Sequence, residues 1–367
     1  MQETMPPRTV LLVAMSLVLG ACGGVRDAIQ TESARRTPPS FDARELVDVL
    51  PAGRIPAITR PRFESVAKAG EWLSDGDPVI ALSIGGEARA YPLAIMLWHE
   101  IVDDVVGGEP VAVTYAPLAN AAMVYDRTLG GVIATFAVSG KLFRSDLVMY
   151  DWETRSLWTQ LDGRAVAGRS TGASLGTLPS QIVSMATFRV GFPAGVVLSR
   201  PDSGRAYGFN PYAGYEARTK PFGGFIAIAP DRRRPPMERV VGVRFAGEAS
   251  AVPYPGIRRD RVALLRVGGV EMVALWEPGA RSALDAAQVA RGRDVGQTGV
   301  FRPVIGTRIL GFVAVPGGGF RDRQTGSTWN VLGIATAGPL RGRRLEPFVH
   351  VDTFWFAWSA FFPGTNA

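Results

Sequence analysis

VIALSIGGEARAYP, Val79 to Pro92, lies without a gap over VVGVRFAGEASAVP, Val240 to Pro253. Gly86, Glu87, Ala88, Ala90 and Pro92 meet Gly247, Glu248, Ala249, Ala251 and Pro253. The same offset of 161 residues carries Gly107 and Gly108 onto Gly268 and Gly269, Pro117 onto Pro278, and Tyr115 onto Trp276. Each stretch alternates apolar and polar residues around Gly-Gly-Glu or Ala-Gly-Glu, the pattern of a β-hairpin. Farther along, Asp151, Thr154, Ser156, Trp158, Gly163, Ala165 and Gly168 meet Asp322, Thr325, Ser327, Trp329, Gly333, Ala335 and Gly338. Phe188 with Phe192 and Pro193 then meets Trp358 with Phe362 and Pro363. A repeat this long reads as a tandem duplication of one unit.

Working outward, the expected fold is mainly β, an α+β chain with few helices, in two similar β-rich lobes over residues 61–200 and 237–367. Residues 201–236 form a Gly/Pro/Tyr-rich connector. The 43 glycines and 27 prolines, about a fifth of 367 residues, fit short strands and tight turns better than a helical bundle. Helix is expected only near residues 64–73, 92–101 and 282–291 and in the aromatic stretch at Phe354. Asp-x-x-Thr-x-Ser-x-Trp reads as a turn closed by the Asp and Thr side chains, with the Trp in the core. The large aromatics Trp158, Trp329, Trp355 and Trp358 are expected inside as well.

One cysteine and two histidines exclude a disulfide framework, a zinc finger and any site built from several imidazoles. The net charge of +7 is almost entirely arginine and is spread along the chain, with lysine only at Lys68, Lys141 and Lys220. That distribution describes a solvated surface, with no nucleic-acid partner expected. No Gly-x-Ser-x-Gly elbow and no phosphate-binding glycine loop is present.

Arg8 precedes an apolar run from Val10 to Leu19 that ends in Leu19-Gly20-Ala21-Cys22, so residues 1–21 read as a signal peptide too short to span a membrane. Cys22 after Gly-Ala resembles the lipobox of bacterial lipoproteins, in which the thiol receives a diacylglyceryl group. Lipid on Cys22 would anchor the chain by several acyl groups, and residues 22–60 are read as the lipidated cysteine and a flexible tether. The expected location is the cell envelope, on the periplasmic face of the outer membrane.

A longer resemblance follows from Ala90-Tyr91-Pro92-Leu93, Trp98-His99-Glu100-Ile101-Val102-Asp103, Val113-Thr114-Tyr115-x-Pro117-Leu118 and Ser145-Asp146-Leu147-Val148-Met149-Tyr150-Asp151. Together with Phe354-Trp355-Phe356-Ala357-Trp358, these motifs resemble the bacterial domain-of-unknown-function 3179 family over nearly the whole chain. The resemblance implies no established activity. Where members of that family typically read Thr-Tyr-Cys-Pro-Leu-Cys, this chain has Thr114-Tyr115-Ala116-Pro117-Leu118-Ala119. Alanine can neither form a disulfide nor hold a soft metal.

The candidate polar site comprises His99, Glu100, Asp103, Asp104, Asp146 and Tyr115. On a helix His99 and Asp103 would share a face, and with Glu100 they could hold a divalent metal such as zinc, manganese or iron, or act as acid and base. His99 and Glu100 align with Asp260 and Arg261, so the constellation belongs to the first repeat alone. Two readings of His99 stay open, a ligand and a core imidazole hydrogen-bonded to backbone. His350 reads as core. The functional expectation is an envelope lipoprotein that binds a small-molecule or protein partner without catalysis, with a metal or redox site centred on His99 as the alternative.

Overall fold

Two-residue glycine turns punctuate the first half. The structure is a computed structural model that describes residues 41–223 and 231–367. Strand Pro78–Ile84 (β1) turns through Gly85 and Gly86, both at positive φ, into Glu87–Pro92 (β2), pairing Val79 with Pro92. Pro92 caps the helix Leu93–His99 (α1), which buries Leu93, Ile95 and Met96. Strands Ile101–Val106 (β3), Glu109–Ala116 (β4) and Ala121–Asp126 (β5) then form a second antiparallel sheet. The hairpin Phe136–Phe143 (β6) and Asp146–Asp151 (β7) opens a third sheet, which Leu157–Thr159 and Ala165–Ala167 extend. Gln181–Ser184 (β8) returns to β1, and the helix Met185–Gly191 (α2) follows with Ser184 capping it through Thr187 N–H.

The second half repeats that order. Arg239–Phe245 (β9) and Glu248–Pro253 (β10) pair Val240 with Pro253, and the helix Tyr254–Asp260 (α3) follows. Val262–Val267 (β11), Val270–Glu277 (β12) and Gln297–Arg302 (β13) form the second sheet, and Phe312–Ala314 (β14) with Phe320–Asp322 (β15) the third. Val351–Phe354 (β16) returns to β9, pairing Phe354 with Arg239 as β8 pairs Ser184 with Pro78, and the helix Trp355–Phe361 (α4) ends the series. Even a parallel pairing recurs, Val196 with Arg89 and Asn366 with Ser250.

Contact between the halves is reciprocal. Strand β8 packs on β13, and its counterpart β16 packs on β5, the counterpart of β13. Ser184 N–H donates to Gln297 Oε1 across one contact, and Phe354 N–H donates to the Ala119 carbonyl across the other. One apolar core runs through both, joining Val113, Tyr115 and Val124 to Phe354, Trp355 and Trp358. The connector is pinned to each half. Tyr215 Oη donates to the Leu118 carbonyl at 2.9 Å, while Glu216 binds Arg239 at 2.6 and 2.8 Å.

Three expectations need correction. Residues 64–73 form only the short helix Val66–Ala69, and 282–291 only the 3₁₀ turn Val289–Arg291, because Ser282 bonds Glu216 and the Leu284 N–H instead of continuing a helix. Residues 46–48 and 58, expected within the tether, are held to the fold, since Leu46–Asp48 pairs with β6 and the Ile58 backbone bonds Ile101 and Asp103. The signal peptide and Cys22 lie outside the described residues. Among those described, no helix is long and apolar enough to cross a membrane.

The repeated Asp-Thr-Ser-Trp turn is built as its residue types require. Asp151 accepts from Thr154 N–H and Oγ1, both at 2.5 Å, from Ser156 N–H at 3.2 Å and from Trp158 Nε1 at 2.7 Å. Asp322 takes the same four donors at 2.5, 2.8, 3.1 and 2.9 Å. Gly168 and Gly338 sit at positive φ against the turn, where a β-carbon would lie 2.4 Å from Ser156 Cα or 2.7 Å from Ser327 Cα. Asp151→Ala or Asp322→Ala should lower stability by about 2–4 kcal/mol, because each leaves a buried indole N–H and turn amides unpaired. Urea unfolding measures this, and a loss below about 0.5 kcal/mol would contradict the turn's role.

Candidate functional site

Helix α1 ends where Glu100 N–H donates to the Met96 carbonyl, and Glu100 adopts φ 59° to pass directly into β3. The turn ends the helical spacing on which a shared His99–Asp103 face depended, and Asp103 stands on a strand. The structure therefore separates the residues expected to hold a metal. Among the described residues no group of three metal-ligating side chains comes together.

His99 is 3% exposed and both ring nitrogens are engaged. Nδ1 lies 2.7 Å from the Pro56 carbonyl, which can only accept, so Nδ1 carries the proton. Nε2, 2.7 Å from Tyr207 Oη, then accepts the phenol proton, and the two rings stack. Burial lowers the His99 pKa, assisted by Arg205, while the bond to Pro56 opposes the shift. The imidazole is a neutral strut joining the N-terminal segment, α1 and the connector. Its lone pair is already used.

Asp104 receives Arg89 Nη1 at 2.5 and 2.6 Å and Tyr91 Oη at 2.7 Å, and the Arg89 guanidinium lies over the Phe63 ring. Asp103 Oδ2 accepts Phe136 N–H at 2.9 Å while Oδ1 has no partner; burial pushes this carboxyl up to about 7. Tyr115 Oη donates to Asn120 Oδ1 at 3.1 Å, and Asn120 Nδ2 donates to the Asp352 carbonyl at 3.2 Å, tying the β4–β5 turn to the second half. His350 is buried as expected, with Nδ1 against the Phe348 carbonyl at 3.0 Å.

Glu100 and Asp146 are both buried, and the charge of Glu100 acts on Asp146. Glu100 is 6% exposed and its carboxyl makes no hydrogen bond among those of the described residues; burial alone pushes it up to about 8. Asp146 is fully buried at the start of β7, with Oδ2 accepting Leu161 N–H at 2.8 Å and Oδ1 unpartnered. Burial raises its pKa strongly; the backbone N–H groups of Leu161 and Leu147 oppose the shift, and the charges of Asp162 and Glu100 add to it. Beside them Gln160 Nε2 donates to Thr114 Oγ1 and to the carbonyl of Ala121, the partner of Ala116, leaving Gln160 Oε1 buried without a partner. Ala116 and Ala119, where the resemblance implies cysteines, are buried here. Two buried acceptors, Asp146 Oδ1 and Gln160 Oε1, are thus left without a partner, and buried polar groups in this condition call for a donor.

Sequence reading missed Gln160, a polar residue between the core positions Trp158 and Leu161. It also missed the buried pair of Arg239 and Glu216. Burial acts to raise Glu216, but Arg239, Ser282 and Arg293 outweigh it and hold the carboxylate at about 2. The signal for this pair was Arg239 at the position where the first repeat has Pro78.

The family described as Protein of unknown function (DUF3179) matches residues 52–365. Comparison with curated proteins and with solved structures gives no match.

Stability should depend on pH through these carboxyls. The native state keeps the Glu100 proton to about pH 8, whereas the unfolded chain releases it near 4.5. Between those values the native state binds more protons, so rising pH favours unfolding. Wild type is expected to lose stability from pH 5 to pH 9, with the Glu100 share on the order of a few kcal/mol, and Glu100→Gln should shrink that loss. Unchanged pH dependence in Glu100→Gln, measured by thermal unfolding, would contradict the assignment.

Proposed function

The chain belongs to the DUF3179 family, and we propose that it is a membrane-anchored lipoprotein of the cell envelope whose folded part binds a ligand without catalysis. The anchor is lipid on Cys22, and the fold would face the periplasm from the outer membrane. The repeated element order, the matching registers and the reciprocal contacts support reading the chain as a tandem duplication in which the first half keeps a binding site.

One observation carries the binding reading. Of the polar candidates, His99, Asp104 and Tyr115 are spent on hydrogen bonds that hold the fold, whereas Asp146 keeps a buried carboxylate oxygen without a partner and Glu100 is buried with its pKa raised to about 8. A protein that buries two such carboxyls carries a standing cost in stability, which selection tolerates at functional sites.

Cys22→Ser expressed in the native host should abolish lipid labelling and release the protein from membranes; unchanged labelling would contradict the anchor. Native mass spectrometry of full-length protein extracted from that host should show a bound species that Glu100→Gln and Asp146→Asn lose. Identical spectra for wild type and both variants would contradict the site.

A further inference from the structure

A short hairpin, Thr128–Leu129 with Val132–Ile133, precedes β6, and Val304–Ile305 with Arg308–Ile309 precedes β14 in the same place. The backbone bonds around the two match. Ala134 N–H donates to the Arg127 carbonyl at 2.8 Å, and Leu310 N–H to the Pro303 carbonyl at 2.7 Å. Trp152 N–H donates to the Thr135 carbonyl at 3.2 Å, and Arg323 N–H to the Gly311 carbonyl at 2.8 Å. Val132 therefore corresponds to Arg308 and Trp152 to Arg323. On β3 and β11, Val105 pairs with Pro110 as Arg266 pairs with Glu271, so Val105 corresponds to Arg266. All six are exposed. Three apolar residues of the first half thus stand where the second half carries arginines, and the fold does not require them; Ile133 is exposed as its counterpart Ile309 is.

The apolar residues are neighbours. The Arg127 guanidinium donates to the Asp104 carbonyl, beside Val105, at 3.3 Å and to the Ala134 carbonyl, beside Ile133, at 2.8 Å. Asp103 shares a face of β3 with Val105 and accepts Phe136 N–H, and Phe136 pairs with Asp151, beside Trp152. Trp152 is 62% exposed, with the Tyr150 ring edge-on to it at 5.2 Å. Apolar surface left in water is unfavourable, and a cluster of it marks a contact surface. Arg155 and Arg169 are exposed on the adjoining turn, where Arg169 N–H donates to the Thr154 carbonyl at 3.4 Å. Glu153, next to Trp152, accepts Thr135 N–H at 2.7 Å.

A tryptophan among aliphatic residues with arginines at the rim suits the boundary between acyl chains and anionic headgroups. The bilayer is also within reach. The described chain begins with the Phe41 ring against Phe143, at the far end of β6 from Phe136, about 23 Å along the strand. Phe41 lies nineteen residues after Cys22, a length of chain that can extend to at most about 65 Å. We propose that Val105, Val132, Ile133 and Trp152 rest on the lipid bilayer to which Cys22 ties the chain, with Trp152 at headgroup level and Arg155 and Arg169 against anionic phosphates. The inference rests on the membrane-anchored reading and adds which surface of the fold faces the bilayer.

The test is tryptophan fluorescence of full-length protein from the native host, placed on vesicles of phosphatidylcholine and phosphatidylglycerol with plain or brominated acyl chains. Bromine quenches tryptophan at close range, and co-sedimentation independently reads attachment through the anchor. Brominated vesicles should lower the emission of wild type and leave that of Trp152→Phe unchanged. Val132→Arg, which installs the second half's residue at an exposed position, should stay folded and attached while losing most of the quenching. Attached wild type with equal emission on both kinds of vesicle, or quenching undiminished in either variant, would overturn the patch and leave the anchor standing. A dimer by light scattering that Trp152→Arg dissociates, without quenching, would give the patch to a second copy and likewise overturn the proposal. Failure of wild type to sediment with vesicles would overturn the membrane-anchored reading and the patch with it.

Discussion

The backbone must pass from helix to strand within a single residue at Glu100 and again at Arg261. Positive φ at that residue is the means, with its N–H closing the helix and its carbonyl accepting the next sheet's Tyr115 or Trp276. Both backbone groups are locked, so the side chain is delivered to one fixed place between the second sheet and the turn after the third. Whatever residue stands there is buried, and the fold makes it choose a partner. Arg261 finds carbonyls and Glu277. Glu100 is buried with burial alone acting on its carboxyl.

The chain shows what paired burial looks like elsewhere. Arg239 and Glu216 are as deeply buried, but their bidentate contact and the bonds from Ser282 and Arg293 keep the carboxylate ionised. That pair ties the connector to the second half, and the Tyr207–His99 bond ties it to the first. Buried charge is thus matched where it ties the connector to the second half, while Asp77, Asp103 and Asp146 each keep a buried carboxylate oxygen without a partner.

Much of this was legible before any coordinates. The offset of 161 residues located both hairpins and the β4/β12 strands, because hairpin turns and buried strands impose strict alternation and glycine placement, whereas the helix Tyr254–Asp260 was not expected. The Asp-Thr-Ser-Trp turn could be read to its hydrogen bonds, since each partner is within a few residues. Long-range pairings were not legible. Nothing local in Glu100 announces that its carboxyl will be buried, and the helical spacing that joined His99 to Asp103 failed because the helix ends at His99. The capture of His99 by Pro56 and Tyr207, 43 and 108 residues away in sequence, likewise depends on the folded chain alone.

The most direct measurement is a titration of ¹³C-labelled side-chain carboxyls followed by NMR, in wild type and Glu100→Gln. The account predicts a carboxyl titrating at about 8 in wild type, absent from the variant. A Glu100 carboxyl titrating in the ordinary range near 4.5 would contradict it.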